Sequence, residues 1–291
     1  TGVLRWRTSL APRSGGAPVI LVVDQGPLPA MVIVAEEDRN LVALDLRTGE
    51  IKWRYTVMRG GRFSLRKHGK LLYVSSGDTQ FSAIDLEDGE PVWRFPDRTR
   101  FYLPPAVEKD GLFSVGGRIG KGDGKLYGLD TFSGRLNWSV DLGGGVITAP
   151  IISNGAVLLP VACKSNNDLV AYDAATGEEL WRIPCDGWAQ SCSLLPLDDK
   201  FIINMAGGTL KAINARTGVD EWNTVLGPVC SDDIPLGLSV YLRGGALFVP
   251  ADTVYVVNPG DGNIIHSLGG DPPVPDMMQV SPDCAVFVAE E

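Results

Sequence analysis

The sequence predicts an all-β protein, a β-propeller of about seven four-stranded antiparallel blades. The first observation is a phrase, Ala-x-Asp-x-x-Thr-Gly-x-x-x-Trp, that recurs along the 291-residue chain, most clearly at residues 43–53 and 171–181. The second is its spacing, because the glycines of successive copies lie about 43 residues apart, a length typical of propeller blades. The third is that short apolar runs dominate and no capped amphipathic run indicates a helix.

A single repeat contains the four strands of one blade. In residues 18–55, apolar or alternating runs are separated by Gly, Pro, Asp and Asn, the residues that favour turns. The four predicted strands are residues 19–23, 30–35, 40–44 and 51–55. Matching second-strand runs precede the later copies of the phrase, at residues 71–75, 112–115, 157–161, 201–205 and 246–250. This order predicts an antiparallel meander in every blade.

The repeated Asp, Gly and Trp are predicted to be structural, and no catalytic residue or metal ligand is expected among them. Asp and Thr side chains bind nearby turn amides, Gly accepts positive φ, and Trp covers the neighbouring blade. Asn replaces Asp in two copies, which suits a turn and not a general base. The structural set is Asp45, Gly49, Trp53, Asp85, Gly89, Trp93, Asp130, Gly134, Trp138, Asp173, Gly177, Trp181, Asn214, Gly218 and Trp222.

The seventh blade is expected to combine both ends of the chain. Residues 277–280 and 285–289 match first and second strands, and residues 1–6 match the tail of a phrase followed by a fourth strand. No run supplies the third strand. We therefore expect either a three-stranded closing blade or a chain trimmed from a longer polypeptide, and we favour trimming. On both interpretations residues 1–291 form a single β-propeller domain.

Composition and charge exclude several classes of function. The net charge of −9 argues against nucleic acid as a partner, because phosphate binding needs clustered Lys and Arg. No apolar run approaches the roughly 18 residues that a transmembrane helix needs. With two histidines in the chain, a histidine-based metal site or a Ser-His-Asp triad is not expected. The oligomeric state is not indicated.

Four of the five cysteines are expected on one face of three successive blades. They are Cys163, Cys185, Cys192 and Cys230, which fall in between-blade segments or in the turn from a second to a third strand. Cys185 and Cys192 could pair as a disulfide across the six residues between them. Free buried thiols and a metal site are the alternatives, although the Cys-x-x-Cys spacing typical of zinc is missing.

The same face carries the residues that precede each first strand, and these are the candidate binding residues. They are Arg62, Arg100, Tyr102, Trp188, Gln190, Asp232 and Asp276. Arg and aromatic side chains are enriched at binding surfaces. Because the basic members belong to early blades and the acidic members to late ones, we expect a bipolar mouth that binds a peptide or a polar small ligand. Ordinary loop polarity is the alternative.

The repeated phrase resembles the tryptophan-docking repeat of the PQQ-like, quinoprotein-type β-propellers, and the resemblance covers almost the whole chain. That superfamily includes eight-bladed quinoprotein dehydrogenases, BamB-type assembly lipoproteins and sensor domains of receptor kinases. The dehydrogenases carry a disulfide between adjacent cysteines over the cofactor and hold calcium with Glu, Asn and Asp. No two cysteines are adjacent here, so neither PQQ nor calcium is expected.

The resemblance therefore implies a non-catalytic scaffold that binds a protein or peptide partner outside the cytoplasm. A ligand-sensing domain of a larger receptor or kinase is the first alternative. A PQQ-dependent dehydrogenase is the second alternative. The sequence differs most from this class, because it lacks the adjacent cysteines of the dehydrogenase disulfide and has fewer blades.

Overall fold

In the computed structural model of the protein, the described residues form strands and turns. They are residues 4–11, 20–23, 30–36, 39–58, 63–77, 79–117, 121–146, 148–162, 167–185, 193–205, 208–227, 240–251, 253–267, 277–280 and 285–288. No helix within these ranges is long and apolar enough to cross a membrane. The chain divides into two compact units, Thr1–Asp141 and Leu142–Glu291.

The first unit contains three antiparallel sheets, each with its four strands in chain order. Blade 1 consists of β1 (Ile20–Val23), β2 (Met31–Glu36), β3 (Asn40–Asp45) and β4 (Ile51–Thr56). Blade 2 consists of β5 (Ser64–His68), β6 (Leu71–Ser75), β7 (Gln80–Asp85) and β8 (Pro91–Pro96). Blade 3 consists of β9 (Ala106–Glu108), β10 (Gly111–Gly116), β11 (Lys125–Asp130) and β12 (Leu136–Asp141).

The second unit contains three similar sheets and a two-stranded one. Blade 4 begins with two short pieces, β13 (Gly145–Val146) and β14 (Ile151–Ser153), which both pair with β15 (Ala156–Ala162), and continues with β16 (Asn167–Asp173) and β17 (Glu179–Cys185). Blade 5 consists of β18 (Ser193–Leu197), β19 (Lys200–Met205), β20 (Thr209–Asn214) and β21 (Asp220–Val225). Blade 6 consists of β22 (Tyr241–Arg243), β23 (Ala246–Pro250), β24 (Val254–Val257) and β25 (Ile264–Ser267), and β26 (Met277–Val280) pairs with β27 (Ala285–Val288).

The pairing of third and fourth strands explains the Ala that opens the repeated phrase. Ala43 lies opposite Trp53, and the register shifts by a β-bulge immediately after it. Gly128 takes this place in blade 3, where a Cβ would lie only 2.3 Å from the Trp138 ring. A small residue is therefore needed here, because the indole lies across the neighbouring strand.

Backbone hydrogen bonds define two ends of each blade. At one end, the residue after the corner Asp donates to the turn between the first two strands, as Leu46 N does to Ala30 O. At the other end, the residue after the fourth strand donates to the turn before the third, as Asp97 N does to Thr79 O. We call these the corner end and the loop end.

The cores lie between neighbouring blades of the same unit. Blades 1 and 2 share a cluster that includes Ile33, Trp53 and Leu72, and blades 2 and 3 share an aromatic one around Phe81 and Phe101. In the second unit, blades 4 and 5 and blades 5 and 6 are joined by mainly aliphatic clusters. Each blade is thus held by its neighbour, as stacked sheets with apolar inner faces require.

The all-β fold class and the blade meanders predicted from the repeat are confirmed. The predicted strands agree with the observed ones to within one or two residues, and six sheets have four strand positions. The two C-terminal runs also form strands. Residues 4–11 belong to no strand, although their docking, described below, resembles that of a fourth strand.

Candidate functional site

The carboxylates of the repeated corners are occupied by turn hydrogen bonds. Asp45 Oδ1 accepts from the backbone amides of Arg47 at 2.8 Å and Thr48 at 3.1 Å, and Gly49 has a φ of +73°. These amides lower the pKa of Asp45. Asp130 and Asp173 are placed in the same way, as is the side-chain oxygen of Asn214. Such groups cap turns, which is a structural role.

Four of the five repeated tryptophans dock their blade onto the corner of the next blade in the same unit. Trp53 Nε1 donates to Leu86 O at 2.9 Å, and its ring covers Gly89, where a Cβ would approach the indole to 2.6 Å. Equivalent bonds run from Trp93 to Thr131 O, from Trp181 to Ala215 O and from Trp222 to Pro259 O. Trp138 stacks on Phe113 of its own blade. The repeated phrase is therefore accounted for by blade spacing.

The N-terminal segment makes the same docking contact without belonging to a strand. Trp6 Nε1 donates to Leu46 O at 3.0 Å, and Thr8 Oγ1 donates to Gly49 O at 2.6 Å. Trp222 and Thr224 make the same pair of contacts on blade 6. The expectation that residues 1–6 match the end of a phrase therefore agrees with the position of Trp6.

The loop end of blades 2 and 3 presents a well-fixed segment, residues 97–105, which joins these blades. Its backbone is held from both sides, because Gly77 N donates to Phe101 O at 2.7 Å and Gly117 N donates to Arg100 O at 3.0 Å. Phe101 also forms a β-bridge with Gly116 and is fully buried. The connection is thus shared between two blades.

Side chains of blade 2 fix the remainder of this connection. Ser64 Oγ donates to Tyr102 O at 2.7 Å, Ser75 Oγ donates to Leu103 O at 2.9 Å, and Arg66 Nε donates to Pro105 O at 3.1 Å. These bonds satisfy carbonyls that strand pairing leaves open. The segment consequently presents its outward side chains from a rigid backbone.

A polar network of Asp97, Thr99 and Tyr127 lies on the inner side of the connection between blades 2 and 3. Thr99 donates from its amide and its hydroxyl to Asp97 Oδ1 at 3.0 Å, and its hydroxyl lies 2.8 Å from the Tyr127 hydroxyl. Burial opposes ionisation of Asp97, but hydrogen bonds from Thr99, Tyr127 and the Arg98 amide together outweigh it, so the pKa of Asp97 is lowered. Burial raises the pKa of Tyr127 to about 12, so its hydroxyl stays protonated at neutral pH.

Of the seven predicted binding residues, the structure describes two and brings them into contact. Arg100 Nη1 donates to the Tyr102 hydroxyl at 3.2 Å, and the Tyr102 ring lies over Gly77, where a Cβ would come within 2.8 Å of it. Arg62, Trp188, Gln190, Asp232 and Asp276 lie outside the described residues. Cys192 and the side chain of Cys185 lie outside them as well, so the disulfide stays a prediction.

Sequence reasoning missed Arg98, Thr99 and Tyr127 as members of this site. A local signal existed, because an Asp followed two residues later by Thr favours a turn that turns the intervening side chain outward. The contact with Tyr127 had no such signal, since this residue lies 28 positions away from Thr99. Within the described ranges, no group of three or more His, Cys, Asp or Glu side chains could hold a metal ion.

Comparisons with known proteins give a family and a fold. A family model described as the outer membrane protein assembly factor BamB matches residues 1–107, 101–226 and 158–271. No curated protein matches the sequence. Among solved structures, BamB from Moraxella catarrhalis is similar with 20% identity and a TM-score of 0.57, over 86% of this chain and 74% of that one.

Two oxidoreductases have the same fold. A europium-containing methanol dehydrogenase is similar with 13% identity and a TM-score of 0.64, over 92% of this chain and 73% of that one. A quinohemoprotein alcohol dehydrogenase from Comamonas testosteroni is similar with 13% identity and a TM-score of 0.61, over 85% of this chain and 60% of that one. At such identities the likeness shows the β-propeller fold and not the activity, and it confirms the predicted fold class.

Proposed function

Because this chain belongs to the family of the outer membrane protein assembly factor BamB, we propose that it is a non-catalytic scaffold that binds protein partners outside the cytoplasm. The fold alone supports both scaffolds and quinoprotein dehydrogenases, so the choice depends on the residues. The family match favours the scaffold, and the name of the family describes an assembly factor. The extracytoplasmic location is part of the same proposal.

One observation supports this proposal above the others. The repeated carboxylates are engaged in turns at the corner end, whereas the loop end of blades 2 and 3 presents Arg100 and Tyr102 from a backbone fixed on both sides. Arg and Tyr are among the residues that contribute most to protein interfaces, and a rigid backbone lowers the entropy that binding costs. This arrangement suits recognition better than proton transfer.

The residues present do not match the adjacent cysteines and the calcium ligands that the resemblance to quinoprotein dehydrogenases implies. The five cysteines stand at positions 163, 185, 192, 230 and 284, so no pair is adjacent in the sequence and the disulfide found over that cofactor cannot form. In the part of the chain that the structure describes, no acidic cluster could hold a metal. We therefore derive no chemical step through either group.

Cross-linking with a lysine-reactive reagent in an extract of the source cells tests the scaffold. We expect partner peptides to be linked repeatedly to Lys121, which is exposed at the loop end, and rarely to Lys70 and Lys109, which are exposed at the corner end. The two corner-end lysines serve as internal controls for reactivity. Equal labelling of both ends, or no partner that recurs across preparations, would contradict the proposal.

A reconstitution experiment tests the enzyme alternative directly. The purified protein is mixed with PQQ and calcium, then separated from free quinone, and the bound fraction is measured by absorbance and by a dye-linked alcohol oxidation assay. We expect neither bound quinone nor turnover. Stoichiometric quinone binding together with alcohol oxidation would show an enzyme and overturn the proposal.

A further inference from the structure

The N-terminal segment, residues 4–9, occupies the place of a fourth strand beside blade 1. It contains no turn or bend, and its side chains follow the same order of exposed and half-buried positions as those of β21. Trp6 and Thr8 both face Gly49, where a Cβ would lie 2.5 Å from the indole and 2.9 Å from Thr8 Oγ1. The docked residues of β21 would lie 2.5 Å and 2.7 Å from a Cβ at Gly262. Because side chains two positions apart share one face in a strand, the segment is extended like β21.

No strand pairs with this segment in the part of the chain that the structure describes. Each of the five strands that carry a repeated Trp pairs with the third strand of its own blade. Residues 4–9 take part in no such pairing with described residues. The segment is therefore a docked fourth strand with an open hydrogen-bonding edge, an arrangement to which another strand can add.

The other blades identify the amides that face the open edge. In blades 1, 2 and 5, the residue four positions after the Trp donates its amide to the carbonyl just before the third strand, as Val57 N does to Arg39 O. Because amides alternate between the two edges of a strand, those of Trp6, Thr8 and Leu10 point to the side on which a third strand would lie. Within the described ranges these amides have no hydrogen-bond acceptor. Three donors are thus available to an added strand.

The third strands of the other blades show which side chains fit beside a docked Trp. A small residue lies directly opposite the Trp in each of these blades, namely Ala43, Ala83, Gly128, Ala171 and Ala212. Two positions earlier stands a fully buried apolar residue, namely Leu41, Phe81, Leu126, Leu169 or Leu210. Two positions later stands the Asp or Asn of the corner. A strand that fits beside Trp6 should have the same order of apolar, small and polar residues at alternate positions.

An arginine of the segment adds a preference for one carboxylate. Arg7 directly follows the docking Trp, which is the place that Arg182 has in β17. Arg182 Nη1 lies 2.9 Å from Asp168 Oδ2 of β16, and this Asp stands three residues before Ala171. Arg7 is exposed and has no ion pair with described residues. A carboxylate at the corresponding place of an added strand would therefore complete the pair, with a modest gain because solvent screens it.

From these observations we infer that residues 4–9 are a strand-addition site, at which an extended segment of a protein partner takes the place of a third strand. The partner segment has the pattern acidic, Leu or Phe, any residue, Ala or Gly, any residue, Asp or Asn. Main-chain hydrogen bonds supply its affinity, and the small residue opposite Trp6 supplies its selectivity. Because the receiving segment is already docked, binding orders few of its groups. The inference rests on the proposed scaffold function and gives it a place and a partner chemistry.

Fluorescence anisotropy with labelled peptides tests the inference. The main probe is a copy of residues 167–173, NDLVAYD, which contains the whole pattern. We expect it to bind the protein saturably, and its Ala171→Leu form to bind at least tenfold more weakly, because a large side chain would overlap the Trp6 indole. The Asp168→Asn form should lose about threefold at about 50 mM salt and less at about 1 M. Absence of binding, or equal affinity for the main probe and its leucine form, would overturn the inference.

Three matched variants of the protein locate the binding edge. Thr8→Pro removes an amide that faces the open edge, whereas Thr8→Val removes only the hydroxyl contact to Gly49. Ser9→Pro puts proline where β8 and β17 carry Pro96 and Pro184, a position whose amide faces away from the third strand. We expect Thr8→Pro to weaken binding of the main probe at least tenfold and each control less than threefold. Equal losses for the two proline variants would contradict pairing along this edge.

A cross-linking measurement on the unaltered protein covers the case in which Thr8→Pro releases the segment from blade 1. A photoreactive phenylalanine replaces Val170 in the peptide, since this residue lies opposite Arg182 in β17 and should lie opposite Arg7 here. We expect the linked residues to fall within positions 4–11. Links confined to other strands would overturn the site, and dimers of the protein that the peptide dissociates would identify a second copy, not a partner, as the occupant.

The lysine cross-linking in cell extract separates this inference from the proposed function. If partners recur at Lys121 while the peptide is ignored, the strand-addition site is wrong and the scaffold stands. If no partner recurs, the scaffold itself is wrong.

Discussion

The junction between blades 2 and 3 and the junction between blades 4 and 5 use the same docking contact but differ in what packs behind it. Trp93 and Trp181 each donate to a corner carbonyl at 2.9 Å. The rings behind Trp93 belong to Tyr73, Phe81, Phe95, Phe101 and Tyr127. The side chains behind Trp181 are mostly aliphatic, namely Leu158, Leu169, Phe201, Ile203 and Ile213. We call these the aromatic junction and the aliphatic junction.

The difference indicates that the repeated phrase sets blade spacing and leaves the remaining packing free to vary. In the aromatic junction the buried cluster extends to the loop-end surface, because Phe101 belongs to that cluster and lies between the exposed Arg100 and the half-buried Tyr102. A rigid core thus supports the loop end of the aromatic junction.

Removing the docking indole should cost more in the aromatic junction. Trp93→Ala deletes a ring that is 8% exposed and lies within 6 Å of two other rings, so we expect a loss of about 3–5 kcal/mol in the free energy of unfolding. Trp181 is only half-buried and lies 6.5 Å from Phe201, so Trp181→Ala should cost less. Urea unfolding followed by circular dichroism measures both, and equal losses would mean that the ring cluster adds nothing.

Adding a methyl group under the docked indole is the next largest change. Gly134 has a φ of +67°, and its added Cβ would lie 2.5 Å from the Trp93 ring. We expect Gly134→Ala to cost about 2–4 kcal/mol through backbone strain and overpacking. Gly69→Ala is the matched control, because φ there is +56° and no atom lies within 4 Å. Its cost should stay near 1 kcal/mol in the same urea titration.

The polar network of Asp97, Thr99 and Tyr127 should give a smaller, pH-dependent effect. Thr99→Val removes the hydroxyl bonds to Asp97 and Tyr127 and keeps the amide bond to Asp97, and we expect a loss of about 1 kcal/mol at neutral pH. Because the native pKa of Asp97 is lowered, its contribution is present above the unfolded value of about 3.9 and is lost as the pH falls through the native pKa. The deficit of the variant should therefore shrink in acid.

A control without a titratable partner separates this pH effect from general acid destabilisation. Thr224 Oγ1 donates to the backbone carbonyl of Gly262, so the deficit of Thr224→Val should stay constant between neutral and acidic pH. Thermal unfolding of both variants against the wild type from pH 7 to pH 3 measures the difference. Parallel curves for the two variants would exclude a role of the Asp97 carboxylate.

Much of the fold followed from the sequence because its determinants are local. The corner depends on an Asp and a Gly four residues apart, and the strands on runs of five or six residues, so both can be read from neighbouring positions. Features that depend on residues distant in the sequence were not predicted. The small residue opposite each Trp, such as Ala43 opposite Trp53, is explained only by the register of two strands and a bulge between them.

The candidate site could be predicted only in part for the same reason. Arg100 and Tyr102 were found because they precede a first strand, a position that the repeat defines. Arg98 was missed because its outward direction depends on the turn formed by Asp97 and Thr99, and on the anchoring of Phe101 by residues of two blades. The exposure of the Arg98 side chain results from this packing, and no local sequence pattern predicts it.

The smallest expected effect concerns a charge pair that distinguishes the aliphatic junction. Arg216 Nη1 of the blade 5 corner lies 2.7 Å from Asp173 Oδ2 of the blade 4 corner. Burial opposes ionisation of Asp173, but this arginine and the amides of the turn outweigh it and lower the pKa of Asp173. Because the Arg216 side chain is 41% exposed, solvent screens the pair, and Arg216→Met should cost about 0.5 kcal/mol or less. Urea unfolding at low salt and at about 1 M salt should show this deficit shrink on screening, down to the share of the bond from Arg216 Nη1 to Gly155 O.

One substitution can introduce an equivalent charge pair at the aromatic junction. Phe132 lies two residues after Asp130, as Arg216 lies two residues after Asn214, and Asp85 holds the place of Asp173 in the preceding blade. Phe132→Arg should therefore gain a few tenths of a kcal/mol at low salt, a gain that Phe132→Met should not reproduce. If neither exchange changes stability, corner charges are irrelevant to both junctions, and their difference in strength comes from the buried rings alone.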